Sequence, residues 1–164
     1  MFRADLSRLI DQDLEASKAK GVTRRVVFHG ATTVSNTMSI FHSGFKEPGK
    51  GKGSGVLQYG RGCYFARDAA LAGRYAARVD KDLAELIAEN PERLVDTKCM
   101  FLANIIVGDM GVGSHERPQA PKIPGSQTAR RYDTLTDKQE DPAIFVSTHD
   151  DQCYPAYLLC FSAP

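Results

Sequence analysis

The feature that most constrains this chain is the shortness of its apolar runs. The longest, residues 99–107, reads Cys-Met-Phe-Leu-Ala-Asn-Ile-Ile-Val. It falls well short of the ~20 residues that a membrane-crossing helix needs, and its β-branched end suits a central buried strand. Three shorter runs have the same character. Residues 26–28 end at His29-Gly30, residues 143–148 open after Pro142, and residues 156–161 follow Pro155. Pieces this short bury themselves by pairing, so the chain is expected to build a sheet of short strands. Its 164 residues, 42% apolar and 25% charged, suffice for one domain with an ordinary core, taken as residues 1–164.

Between the strand candidates lie helical patterns. Leu6, Leu9, Ile10 and Leu14 recur at helical spacing over residues 4–20, with Gly21 as the stop. Residues 36–43 read as a short helix carrying Met38, Ile40 and Phe41 and ended by Gly44. Asp68 is a candidate N-cap for a helix through Ala69, Leu71 and Tyr75 to about Val79. Residues 81–89 place Leu83, Leu86 and Ile87 on one face, and Pro91 stops them. Residues 46–55 hold four glycines and three lysines and read as a loop; the phosphate-binding spacing G-x-x-x-x-G-K-[ST] is absent. Residues 108–131, rich in Gly, Pro, Ser and Gln, read as a long surface loop. Strands and helices in separate stretches predict an α+β fold.

Charge excludes little. Twenty-one Lys and Arg against 20 Asp and Glu leave a net +1, which gives no overall pull toward nucleic acid or an acidic membrane, though a local basic patch remains open. The opening Met1-Phe2-Arg3-Ala4-Asp5 lacks the apolar core of a secretory signal. Cys63, Cys99, Cys153 and Cys160 do not fall at zinc-site spacing, so no metal is expected there. They read as buried free thiols in a reducing, intracellular compartment, cytoplasmic or nuclear. His42, at a helix end, meets solvent; the cluster His149-Asp150-Asp151-Gln152 reads as a turn cap rather than a cation site.

Two segments carry more chemistry. His29 ends a strand and precedes Gly30, which permits close backbone approach to a ligand. In Gly60-Arg61-Gly62-Cys63-Tyr64-Phe65-Ala66, two glycines set the backbone before an aromatic residue. Tyr64 and Tyr75 could wall a planar ring or be ordinary core residues, and their spacing leaves both readings open.

Taken together, these segments resemble the ADP-ribosyltransferase catalytic domain of the poly(ADP-ribose) polymerase type. The resemblance is carried in order by His29-Gly30, Ser43-Gly44-Phe45, Tyr59 to Ala66 and Tyr75, residues 100–108, Tyr132-Asp133-Thr134, and residues 142–158, which look like the mono-ADP-ribosylating branch. It implies a split β-sandwich of mostly antiparallel strands with flanking helices and NAD+ held in a cleft, without metal. It also implies roles: His29 to the adenosine-ribose 2′-hydroxyl, the Gly30 backbone to the nicotinamide carboxamide, and Tyr64 and Tyr75 on either face of the nicotinamide ring. Clamping both ends of NAD+ would strain the glycosidic bond and hold the cationic ribose near an acceptor.

The resemblance also implies departures. The position where polymerising relatives carry a catalytic Glu is Ile144, and a Ser that bonds the carboxamide is replaced by Ala72. A His29, Tyr64, Ile144 triad implies transfer of single ADP-ribose units, with the acceptor's own carboxylate as a substitute for the missing one. Residues 80–97 look inserted. The expected function is NAD-dependent mono-ADP-ribosylation of an acceptor protein, which could be the chain itself. Two alternatives remain: a degenerate module that binds NAD+ or ADP-ribose without transfer, and a transferase for nucleic acid, which Lys46, Lys50, Lys52, Arg130 and Arg131 would contact.

Overall fold

The structure is a computed structural model, and it describes residues 23–46 and 58–162. The helix expected over residues 4–20 and nearly all of the glycine- and lysine-rich loop lie outside the described residues.

Among the described residues eight strands form one hydrogen-bonded sheet. The central run becomes β4 (Lys98–Ile106), as its apolar length requires. On one side β4 takes β1 (Arg24–His29), paired antiparallel from Arg24 opposite Ile106 to His29 opposite Phe101. On its other side lies β8 (Cys153–Phe161). β8 begins earlier than Pro155 suggests. Proline is tolerated because β8 is an edge strand and the register shifts between Leu102 and Ala103, where Pro155 pairs. The second half of the sheet is β2 (Cys63–Ala66), β7 (Ile144–Ser147), β6 (Thr134–Thr136) and β5 (Met110–Val112). All neighbours are antiparallel except β5 and β6. The fold is therefore α+β, with a mixed, mostly antiparallel sheet and few helices.

The two halves meet at a narrow seam. β1 and β2 pair through Phe28 opposite Ala66 and diverge beyond it. Below the seam the halves share a core of Val27, Phe45, Phe65, Phe101, Ile105 and Phe145, all nearly inaccessible to water. Among the described residues three α-helices flank the sheet. α1 (Val34–Ser43) starts on Thr33, whose hydroxyl accepts the Asn36 N–H at 3.1 Å, and ends at Gly44 as expected.

Three expectations need correction. The helix from Asp68 is only α2 (Ala69–Gly73), without a side-chain cap from Asp68. The chain then turns into β3 (Ala77–Arg78), because Ala77 and Arg78 extend the β4 ladder opposite Cys99 and Lys98. The stretch 108–131 is not all loop: it contains β5, too short and too glycine-rich to show a period, and held by parallel pairing to β6. Cys63 and Cys99 are buried thiols outside any disulfide, but Cys153 and Cys160 on the edge strand are only half-buried. Residues 80–97 hold α3 (Lys81–Ile87), capped by Asp80 through the Leu83 N–H at 2.9 Å, and a short 3-10 turn. Leu83 is the buried anchor of α3, whereas Leu86 faces outward.

Candidate active site

Where β1 and β2 part, a cavity of about 490 Å³ opens between the two halves. His29, Gly30, Tyr64, Ala72, Tyr75 and Ile144, residues far apart in sequence, all line it.

His29 leaves β1 at the seam. Its Nδ1 lies 2.7 Å from the Tyr64 carbonyl oxygen, which can only accept. Nδ1 therefore carries the proton, and the neutral ring keeps Nε2 as an acceptor. The ring is wedged edge-on against Phe45 at 5.1 Å and tilted against Phe65 at 5.6 Å. Burial pushes the imidazole pKa below its ordinary value, outweighing the opposite pull of the Tyr64 carbonyl. His29 is thus neutral near pH 7.

Gly30 follows directly, beyond the last paired residues of β1. A Cβ there would lie 2.2 Å from the Ala72 carbonyl oxygen and 2.9 Å from the Tyr75 carbonyl carbon. Only glycine permits this contact between the strand end and the α2 exit. Ala72 itself is buried, and its carbonyl also accepts the Tyr75 N–H at 3.0 Å. Its methyl gives the cleft no hydrogen-bonding group.

Tyr64 crosses from β2 with its hydroxyl donating to the Gly60 carbonyl at 2.7 Å and accepting the Tyr59 N–H at 3.0 Å. Burial raises its pKa, so the hydroxyl stays protonated and the turn stays tied. Gly62 makes that turn possible: at φ +154°, a Cβ would stand 2.1 Å from the Ser147 carbonyl oxygen. Tyr75, past the end of α2, is 57% exposed, a ring at the rim rather than in the core.

Ile144 begins β7 opposite Ala66, half-buried at the cleft wall. Beside it lies a group that sequence reasoning missed. One oxygen of Asp137 accepts the N–H of Ala143 at 3.0 Å and of Ile144 at 3.1 Å, and Asp137 lines the same cavity. The sequence signal was an aspartate just after a strand and ahead of a Pro-containing turn, a common side-chain-to-backbone pattern. Gln58, which was not singled out, also reaches the cleft, as does Tyr59 at the start of the segment that carried the resemblance. His42 and the 149–152 cluster stay outside it. His42 is exposed against Phe41, while His149 and the 3-10 turn Asp150–Gln152 cap the approach to β8. Of the basic residues considered for nucleic acid, Arg130 is held by Asp109 at 3.0 Å and Asp133 at 2.9 Å.

A split, mostly antiparallel sheet with a cavity at its seam is the architecture of an ADP-ribosyltransferase domain. The poly(ADP-ribose) polymerase catalytic domain matches residues 4–163, and the chain belongs to that family. It is 34% identical over 137 residues to the protein mono-ADP-ribosyltransferase PARP10 of Mus musculus, covering 82% of this chain and 12% of that protein. The corresponding figures for PARP12 of Mus musculus are 32% over 143 residues, 87% and 17%. For PARP14 of Homo sapiens they are 26% over 149 residues, 90% and 7%. The chain thus spans less than a fifth of the length of each of these three relatives.

Proposed function

We propose that the chain is a mono-ADP-ribosyltransferase that moves one ADP-ribose unit from NAD+ to an acceptor protein. The observation that carries this reading is the convergence of His29, Gly30, Tyr64, Tyr75, Ala72 and Ile144 on one cavity at the seam. The donor set suits NAD+. An imidazole with a free acceptor nitrogen matches a ribose hydroxyl, a strand-end glycine offers unobstructed backbone to a carboxamide, and two tyrosines offer faces to a ring.

Bound NAD+ supplies the ADP-ribosyl group, with nicotinamide as the leaving group. His29 accepts the adenosine-ribose 2′-hydroxyl at Nε2. Gly30 receives the carboxamide on its backbone N–H and C=O. Tyr64 and Tyr75 hold the ring between them and keep water from its faces. Ile144 supplies no base, so the acceptor side chain brings its own carboxylate to the developing positive charge. Orientation then provides most of the rate, an effect known to reach roughly 7–11 kcal/mol in well-aligned intramolecular reactions.

The test is incubation with labelled NAD+, a candidate acceptor protein and a nucleic acid, followed by nicotinamide release and mass spectrometry. Stoichiometric nicotinamide release with a single +ADP-ribose mass on protein is the expected result. Saturable NAD+ binding with no nicotinamide release would make the chain a binding module. Label on the nucleic acid alone would change the acceptor class.

A further inference from the structure

Among the described residues, Asp137 carries the only carboxylate that lines the cleft, and no lysine or arginine lines it. One of its oxygens is spent on structure: Oδ1 accepts the Ala143 N–H at 3.0 Å and the Ile144 N–H at 3.1 Å. Oδ2 has no partner among the described residues. An ionised carboxylate accepts through both oxygens, so the tie to β7 aims the group and leaves half of its accepting capacity unused. Asp137 is half-buried, and the neighbouring lining side chains, Ala66, Ala143 and Ile144, are apolar.

The contacts proposed for NAD+ leave part of that molecule unserved. His29 takes the adenosine ribose, Gly30 the carboxamide, and Tyr64 and Tyr75 the ring. The hydroxyls of the ribose that bears the nicotinamide have no partner, and a hydroxyl taken out of water without a hydrogen bond is costly. Ile144 pairs with Ala66, which stands two places beyond Tyr64 on β2 and on the same face. Asp137 thus lies one strand repeat from the tyrosine proposed to hold the ring, and the ribose in question is bonded to that ring.

Given the transferase reading of the cleft, we infer that Asp137 is a substrate-binding residue whose Oδ2 accepts a hydroxyl of the nicotinamide-bearing ribose. It supplies from the end of β6 an anchor that the Ile144 side chain cannot. The wall needs one such acceptor. Where Ile144→Glu adds a second carboxylate, removing the charge at Asp137 relieves their repulsion and leaves the new group to serve the hydroxyl.

Calorimetric titration with an uncleavable carbocyclic NAD+ analogue, which keeps the ribose hydroxyls, tests this without turnover. Asp137→Asn keeps an oxygen for both backbone N–H groups, so its melting temperature should stay that of the unmodified chain. It is expected to bind the analogue about tenfold more weakly, having lost a charge-assisted bond. The direction is diagnostic. NAD+ is a net anion, its phosphate charges outweighing its pyridinium, so a carboxylate acting only through space would make Asp137→Asn the tighter binder. Benzamide, which has no ribose, should bind both chains alike, and an analogue lacking the hydroxyls of that ribose should not distinguish them. Asp141→Asn, the same charge change before β7 but outside the cleft lining, should bind the analogue as the unmodified chain does. Should Asp137→Asn melt early, its benzamide affinity shows whether the cleft is intact. Equal or tighter binding of the analogue by Asp137→Asn overturns the role, as does a loss that extends to benzamide, to the deoxy analogue or to Asp141→Asn. If the unmodified chain binds neither the analogue nor benzamide, the transferase reading itself fails and the role falls with it.

Discussion

On one wall of the cleft, His29 is locked by the Tyr64 carbonyl and two phenyl rings, and Gly30 sits against the Ala72 carbonyl with no room for a methyl. On the other, the start of β7 is gathered by one oxygen of Asp137. Near that second wall, Arg67 meets Asp141 at 2.5 Å in the open. The first wall is an extension of the core, so a change there displaces several groups at once. The second is built from separable contacts, so a change there stays local. For the proposed transfer, a site that fixes one end of NAD+ and leaves the other open to an acceptor benefits from that asymmetry.

The largest effect is expected at Gly30. In Gly30→Ala the added methyl meets backbone rather than a flexible side-chain end, so the strand end or α2 must move. Transfer should fall on the order of 10²-fold or more, the scale known for displacements near 1 Å in a reaction geometry, and the melting temperature should drop with it. Label transfer and a thermal melt check both. Full activity in this variant would mean that the first wall is not rigid.

His29→Ala comes next. Losing one neutral hydrogen bond, worth about 0.5–1.5 kcal/mol, should weaken NAD+ binding up to roughly tenfold. A pH dependence should vanish with it. His29 has a folded pKa below its ordinary value, so on acidification the unfolded chain takes up this proton first. Its contribution to stability is complete above the unfolded pKa near 6.5 and is lost as pH falls through that window, by up to about 1.4 kcal/mol per pH unit. NAD+ affinity should fall in the same direction, once the protonated Nε2 no longer accepts. Melting temperatures from pH 8 to 5, for the unmodified chain and for His29→Ala, give the difference. A steeper acid loss in the variant would contradict the tautomer.

The two tyrosines repeat the contrast between a tied group and a separable one. Tyr64→Phe removes the hydroxyl from Gly60 and Tyr59 and should cost about 1–3 kcal/mol of stability. Tyr75→Ala should leave the melt unchanged. Tyr64→Ala and Tyr75→Ala should each weaken a benzamide by about 0.5–1.5 kcal/mol beyond area burial, read by calorimetry. Unchanged benzamide affinity in both would remove these rings from the site.

Sequence reading reached the first wall more readily than the second, for a physical reason. His29-Gly30 and the Gly-x-Gly-x-Tyr turn are local: strand end, tight backbone and aromatic residue are neighbours in the chain. The central strand was legible because its apolar run is long, and α1 because its apolar spacing and its Gly44 stop are local. β3 and β5 were not legible, since Ala77–Arg78 and Met110–Val112 owe their conformation to partners at positions 98–99 and 134–136. Asp137 escaped for the same reason, because its role exists only once β7 lies beside it. Arg130 and Arg131 likewise look equivalent in the sequence, and their partners show they are not.

The smallest effect is expected where a sequence comparison would place the largest. The family resemblance assigns Ile144 to the position of a glutamate in polymerising relatives, so Ile144→Glu looks like a restoration. The geometry argues otherwise. A new carboxylate at 144 would enter a wall already holding Asp137, whose oxygen bonds the backbone N–H of that same residue. Like charge nearby disfavours the ionised form of a carboxyl, so the new side chain offers less of the negative charge that elongation requires. Elongation also needs the acceptor side to admit a second ADP-ribose, and nothing in Ile144→Glu alters residues 108–131. Gel analysis and mass spectrometry should therefore show single ADP-ribose units from both the unmodified chain and Ile144→Glu. Asp137→Asn in the same background should ease the charge conflict, since the amide oxygen still accepts both N–H groups, and should raise the rate without lengthening the product. Polymer ladders from the unmodified chain would overturn the role assigned to Ile144. Ladders from Ile144→Glu alone would show that the second wall, and not the first, sets product length by a single residue.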